Sequence, residues 1–506
     1  MRKIIAIVVV LLLLLVVAPW GVGRLAEKRI DAGLEQLQQK APYLTIVERK
    51  WTGGWFRSEQ EVTFELFGAW THAPAPKTVR DDRASATFLT VAAKQPLPDK
   101  PGAQEVPAPM EEPAPEADAS QPPPPPKIPE IRFTVRNEIL HGPVLWPFGL
   151  GIARVNSKFV MSDDIRKFLV ESLGTDEPVR VSTRIGFFGG ATTRFSGEGR
   201  TVKVKDKPGT FSYDDFNLSI GYSKNFDHTE LDGKWPRLEF ADSDKGEHIL
   251  FKNMTLGGDS KRALGDLYDG DFKFHVGEMR VTGADKAETL IEDLHYGGVV
   301  DVNDDFMNMS LQLGTGTVRN KELENLKLDI NEIHYDFSFR RLHAATIQKM
   351  VDSMRKIYAQ PMATQDPAAW NDALIKPFKE YGLQLLQHDP EFVIDRVGIV
   401  TPEGEGVIKG VIKLKGVTEA DFANENRMSL LPKLDADLTI EVAQKLIEKI
   451  PNGNTGAGAA IDGGYAKRDG EKLVSHIEFK QGQLKINGKP QALPGLGGPP
   501  PPTHQE

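Results

Sequence analysis

The chain has no cysteine. That excludes structural disulfides, thiol nucleophiles and cysteine-ligated metals, and it fits an oxidising compartment, where a stray thiol is a liability. It also lacks a basic block. Its 62 basic and 71 acidic residues are interleaved over 506 positions, for a net charge of −9. This argues against nucleic acid as a partner, because such proteins gather Lys and Arg against phosphates. The motifs that announce chemistry are missing too: there is no G-x-S-x-G elbow, no P-loop and no H-E-x-x-H helix. Asp301-x-Asn303-x-Asp305 begins like a calcium loop, but Phe306 and Gln312 stand where glycine and a bidentate glutamate are needed, so it reads as an acidic hairpin tip. The eleven histidines are scattered, and His334 and His343 do not have a ligand spacing. No metal site, cofactor or catalytic set is expected.

What is present begins at the N-terminus. Ile4 to Trp20 is a 17-residue uncharged run. As a helix it would span roughly 26 Å, near the ~30 Å hydrocarbon core of a bilayer. Arg2 and Lys3 precede it, which favours a cytoplasmic N-terminus, and Trp20 sits where an interfacial aromatic belongs. A cleaved signal peptide is the competing reading, and Val16-Val17-Ala18 followed by Pro19 is a poor cleavage site. Gly21, Gly23 and Ala26 spell G-x-G-x-x-A, but no βαβ pattern follows, so the three read as a membrane exit and not as a nucleotide loop. Leu25 to Ala41 has helical periodicity, with Ile30, Leu34, Leu37 and Ala41 on one face.

Beyond this the pattern is chiefly that of strands. Phe272, Phe274 and Val276 alternate with charged or polar residues, and so do Leu326, Leu328 and Ile330, and Tyr335, Phe337 and Phe339. Such alternation predicts antiparallel sheet with one buried and one wet face. A helix is expected near Ser162–Ser172 and another near Val442–Ile450, and Asn487-Gly488 is a turn. Helical spacing returns at Ile347 to Tyr358 and Trp370 to Leu385, a hairpin whose second helix should kink at Pro377. Pro96 to Pro129 holds 13 prolines in 34 residues, too many to bury a core. It should be dispensable for folding. The fold class is therefore α+β: an N-terminal transmembrane helix, a large, mostly antiparallel sheet ectodomain and a late helical hairpin. Eight segments are expected: anchor 1–23, amphipathic stalk helix 24–42, N-terminal strands 43–95, proline-rich insertion 96–129, β-rich lobe 130–339, hairpin 340–389, second β-rich lobe 390–493 and tail 494–506.

Several short motifs occur in a telling order. Trp51, Gly54, Phe56 and Ser58 form an aromatic–Gly–Phe–Ser element. His141-Gly142-Pro143 follows, then the helical pair ending at Asp389-Pro390, then Gly482, Gln483, Asn487 and Gly488. Taken together the chain resembles the YdgA-like family of bacterial inner-membrane proteins of largely unknown function. The proline-rich insertion departs from the family pattern, as do Gly53 and Arg57. The resemblance implies inner-membrane attachment and a periplasmic domain, and it leaves a homodimer open. It supplies no activity.

Two functions from different classes are expected to compete. The first is a non-enzymatic envelope protein binding an apolar or lipid ligand, or a protein partner, through Met350, Met354, Ile357, Trp370, Phe378 and Tyr381 of the hairpin. The second is a hydrolase acting on an envelope polymer, centred on His141. It is disfavoured because no Ser or Asp partner for His141 can be read from the sequence. Trp51, Trp55, Phe56, Phe67 and Trp70 either line a cleft, touch the membrane interface or anchor the first hairpin into the sheet.

Overall fold

The computed structural model describes residues 2–41, 43–66, 131–145, 149–203, 208–358, 367–423 and 427–492; for residues 2–18, 20, 40, 367–370, 422–423 and 427–428 it describes backbone only. The insertion 96–129, Phe67, Trp70 and the tail 494–506 lie outside the described residues, as does the side chain of Trp370.

Helix α1 (Arg2–Lys40) is one uninterrupted helix that passes through Pro19. The anchor and stalk expected as two segments are thus continuous in backbone. The first strands are β1 (Leu44–Thr52), β2 (Arg57–Leu66), β3 (Ile131–His141), β4 (Ala153–Val160), β5 (Arg180–Ile185), β6 (Ala191–Gly197), β7 (Arg200–Lys203), β8 (Gly209–Tyr213) and β9 (Phe216–Tyr222), with α2 (Asp163–Leu173) between β4 and β5. The long strands follow: β10 (His228–Asp242), β11 (Glu247–Leu264), β12 (Leu267–Thr282), β13 (Glu288–Asn303) and β14 (Phe306–Thr315). After β15 (Val318–Arg319) and α3 (Lys321–Leu326), β16 (Glu332–His343) leads into the hairpin α4 (Ala344–Tyr358) and α5 (Pro367–Leu386). The chain closes with β17 (Glu391–Thr401), β18 (Gly404–Leu414), α6 (Glu419–Ala423), β19 (Leu434–Ala443), α7 (Gln444–Lys449), α8 (Gly453–Asp462), β20 (Lys467–Asp469), β21 (Lys472–Lys480), β22 (Gln483–Ile486) and β23 (Lys489–Gln491).

All of these strands belong to one 23-stranded sheet. Each pairs antiparallel with its neighbour, mostly in sequence order. The two β-rich lobes expected from length are one sheet, because β16 pairs with β17 from Glu332↔Val400 to Arg340↔Glu391. Chain length favours several compact cores only when each must be wrapped on all sides. A sheet one residue thick can instead be extended strand by strand, each new hairpin covering the previous edge.

Hairpin turns are written locally. Asn487 and Gly488 both take positive φ, 51° and 79°, between Ile486 and Lys489, the geometry of a two-residue turn that matches strand twist. Asp304 (φ 38°) turns β13 into β14, so Asp301–Asp305 is a hairpin tip. One strand reading fails. Leu326 ends α3 instead of starting a strand, and only Ile330 makes a bridge, to Val318. Asn320 caps α3, its side-chain oxygen accepting from the Leu323 N–H at 2.8 Å, and Lys327 closes it in a left-handed conformation. Local capping outweighed a three-residue alternation.

Much of the sheet pairs apolar residues in register along one face, and three helices pack on parts of it. Helix α1 packs Ala26 against Ile139, Ile152, Ala153, Val155 and Ile185, with Val22, Ile30 and Trp51 at the margin. Helix α4 covers Met307 and Leu267 at the far tips of β12–β14, burying Ala344 between them. In α7, Leu446 is 1% exposed and lies 3.5 Å from where a Cβ on Gly406 would sit. Among the described residues no helix is long and apolar enough to cross a membrane. Most of the run Ile4–Trp20 has no described side chains.

Candidate functional site

His141 ends β3 and is buried. Its Nδ1 lies 3.0 Å from the Trp55 carbonyl, and its Nε2 lies 2.9 Å from Ser58 Oγ. A carbonyl can only accept, so Nδ1 carries the proton and Nε2 accepts from the Ser58 hydroxyl. Ser58 in turn accepts from the Gly54 N–H at 3.4 Å, and the His141 N–H donates to the Phe56 carbonyl at 2.9 Å. The sequence hid this partner, because Ser58 lies 83 positions from His141 and reaches it only through the β2–β3 register. The expectation that His141 lacks a serine is therefore corrected. The pair is nevertheless enclosed among the described residues. Ser58 is 3% exposed, and α1 closes over the ring: a Cβ on Gly23 would stand 2.5 Å from His141 Nδ1. Gly142 is equally constrained, since a Cβ there would collide with the Gly151 carbonyl. Trp51, Gly54, Phe56, Ser58, His141, Gly142 and Pro143 converge on one junction that seats α1 on the sheet. Trp55 and Phe56, at its turn, face outward at 49% and 57% exposure.

The hairpin residues do not share one open surface. Met350 and Ile357 are buried in α4, Met354 and Tyr381 are half-buried, and Phe378 is exposed on α5 beside the buried Pro377. Tyr381 is held above its ordinary pKa, first by its bond to Glu380.

Among the described residues, an extended apolar surface lies elsewhere, on the middle strands. One register row reads Leu231–Gly258–Phe272–Gly298–Leu311–Phe337, from β10 to β16. The next row reads Gly233–Leu256–Phe274–Tyr296–Leu313–Tyr335. Six strands at about 4.8 Å spacing make these rows roughly 24 Å long. Glycines flank Phe272 on both sides, so the face is furrowed, not filled. Its large side chains are only partly covered: Phe272 is 37% exposed, Tyr296, Leu311 and Leu313 40%, and Tyr335 46%. Phe272 meets Tyr296 edge-on at 5.9 Å, and Phe337 stacks on Phe392 at 5.6 Å. The alternation had placed Phe272 and Tyr335 on a buried face. They do share one face, but the helices reach only its margins. Contiguous exposure of this kind is uncommon on a folded domain, whereas single exposed apolar residues are ordinary.

Carboxylates beyond this strip are ion-paired. Glu278 is held below the ordinary carboxylate range chiefly by its bond to Lys252, Glu239 chiefly by His248, and Asp435 chiefly by Lys415. Two histidine–carboxylate groups, His228 with Glu230 and Asp259, and His476 with Asp437 and Glu478, are close enough to share a cation. Each already has an internal bond, His228–Asp259 at 2.6 Å and His476–Asp437 at 2.9 Å.

The fold and its surface define a class: a long antiparallel sheet with one apolar face that its helices cover only in part. Within that class the chain belongs to the family described as "Bacterial protein of unknown function (DUF945)", whose model matches residues 1–494. It is similar to Protein YdgA of Escherichia coli (strain K12), at 19% identity over 367 residues, covering 66% of this chain and 71% of the relative. No solved structure matches it. The family description carries no activity.

Proposed function

We propose that this chain is a membrane-anchored envelope protein that holds the acyl chains of a lipid against the furrowed face of β10–β16. In this reading Ile4–Trp20 spans the bacterial inner membrane with Arg2 and Lys3 on the cytoplasmic side, and the sheet stands in the periplasm. The observation that supports it best is the uncharged, register-continuous strip through Phe272, Tyr296, Leu311 and Tyr335. The strip is roughly 24 Å long, against about 15 Å for one leaflet of a bilayer's hydrocarbon, so it has room for a whole acyl chain. It also lacks the converging polar groups that a hydrolytic pocket needs. A protein partner is the second occupant such a face could take, through an amphipathic helix laid in the furrow.

The test uses neighbours on one strand. Successive residues point to opposite faces, so a photo-crosslinking amino acid at Leu311 or Leu313 reads the apolar face and one at Gln312 reads the other face. The full chain is irradiated in intact membranes and analysed by mass spectrometry. Lipid adducts at 311 and 313 with none at 312 are expected. Equal labelling at all three, or none, would sink the proposal, and protein adducts confined to 311 and 313 would replace lipid with a partner protein.

A further inference from the structure

Three tips of the first β-strands expose apolar side chains at one end of the sheet. Trp55 and Phe56 form the β1–β2 turn, Val144 and Leu150 bridge across the β3–β4 connection at 57% and 60% exposure, and Phe187 and Phe188 form the β5–β6 turn at 45% and 95%. Backbone bonds hold the three tips together. His141 N–H donates to Phe56, Gly142 N–H to Ile152, and Ile152 N–H to Ile185. Helix α1 runs along this same end: Gly23 abuts His141, Arg29 flanks Gly189, and Gln36 reaches Asn225 at 3.4 Å. The apolar run therefore leaves the sheet beside the Trp55–Phe56 turn. Cations stand just behind the apolar tips. Arg184 donates to the Leu150 carbonyl at 2.7 Å, and Arg29 and Lys224 both lie 3.2 Å from a Cβ built on Gly189.

Aromatic and aliphatic side chains at the rim, with Arg and Lys behind them, form the pattern of a surface that sits in a lipid headgroup layer. We propose that this end of the sheet is a second membrane contact, with Trp55, Phe56, Val144 and Leu150 inserted at the interface. The contact rests on the anchor reading above but not on the acyl-chain reading. It fixes the orientation of the long sheet. The end of the apolar face that α1 covers faces the bilayer, and the open strip on β10–β16 stands further out. The Phe187–Phe188 tip lies beside Arg29, six residues and about 9 Å along α1 from Gly23. It should sit shallower than the Trp55–Phe56 turn.

The absence of cysteine makes the test direct. Single variants Phe56→Cys, Val144→Cys, Phe188→Cys and Lys245→Cys are spin-labelled in the full chain, reconstituted into vesicles of phosphatidylethanolamine and phosphatidylglycerol. Lys245 lies on the β10–β11 turn at the opposite end. Accessibility to oxygen over a water-soluble nickel chelate should rank 56 and 144 above 188, and 188 above 245. Labels at 56 and 144 as aqueous as the label at 245 would overturn the contact, and a label at 188 deeper than that at 56 would overturn the orientation. Carbonate extraction of the same vesicles reports the anchor independently, so loss of the anchor and loss of the tip contact are separate results.

Discussion

The junction at Gly23 permits a sharp prediction. An added methyl at Gly23 would stand 2.5 Å from His141 Nδ1, more than 1 Å inside ordinary contact. The ring cannot yield without giving up its bonds to Trp55 and Ser58, at 3.0 and 2.9 Å, both in a buried site. Overpacking a core costs about 1–3 kcal/mol, and leaving a buried polar group unpaired costs about 1–3 kcal/mol. Partial relaxation spares some of each, so Gly23→Ala should destabilise by about 2–4 kcal/mol. Gly21 is the internal control, with nothing within 4 Å of its Cβ position. Gly21→Ala should be neutral or stabilising by up to about 1 kcal/mol, from helix propensity alone. The assay is urea unfolding of the full chain in mild detergent, followed by tryptophan fluorescence. Adding His141→Ser to Gly23→Ala should cost less than the sum of the two single changes, since the clash disappears with the ring. If Gly23→Ala unfolds at the same urea concentration as Gly21→Ala, helix and histidine do not touch as described and the seating of α1 is wrong.

Three other outcomes follow from the same geometry. Ser58→Ala should cost about 1–3 kcal/mol, because His141 Nε2 is left buried without its donor; thermal unfolding measures it. Asn320→Ala removes the cap of α3 and should cost about 1 kcal/mol, read in the same way. His343 stacks on His388 at 3.8 Å, and its pKa is lowered by burial and then by His388. Its proton is therefore taken up more readily by the unfolded chain, so stability should fall as pH drops below about 6.5 towards the lower folded-state value. Urea midpoints at pH 7.5 and 5.5 should show a smaller difference in His343→Gln than in the parent, and an unchanged difference would show that the stacked pair is not what titrates.

The sequence by itself determined the local elements with a strong period or a strong signal. Alternation at Phe272–Val276 and Tyr335–Phe339 gave strands and named the residues that share a face. Ser162 and Asn487-Gly488 marked a helix start and a turn because caps and tight turns are chemistry between near neighbours. The ordered motifs from Trp51 to Gly488 gave the family. At Leu326 a three-residue alternation misled, because a neighbouring cap decided the segment. The tertiary structure alone decided which side chains meet. The pairing of Ser58 with His141 depends on strand register across 83 positions, and the closure of that site depends on where α1 is laid. Alternation says that two faces differ in polarity; it cannot say whether anything covers the apolar one. Coverage depends on how many strands share the face and how few helices reach it, a sum over the whole sheet that no local window contains. That sum leaves Leu311 and Tyr335 open to solvent while the same pattern, under α1, buries Ile139 completely.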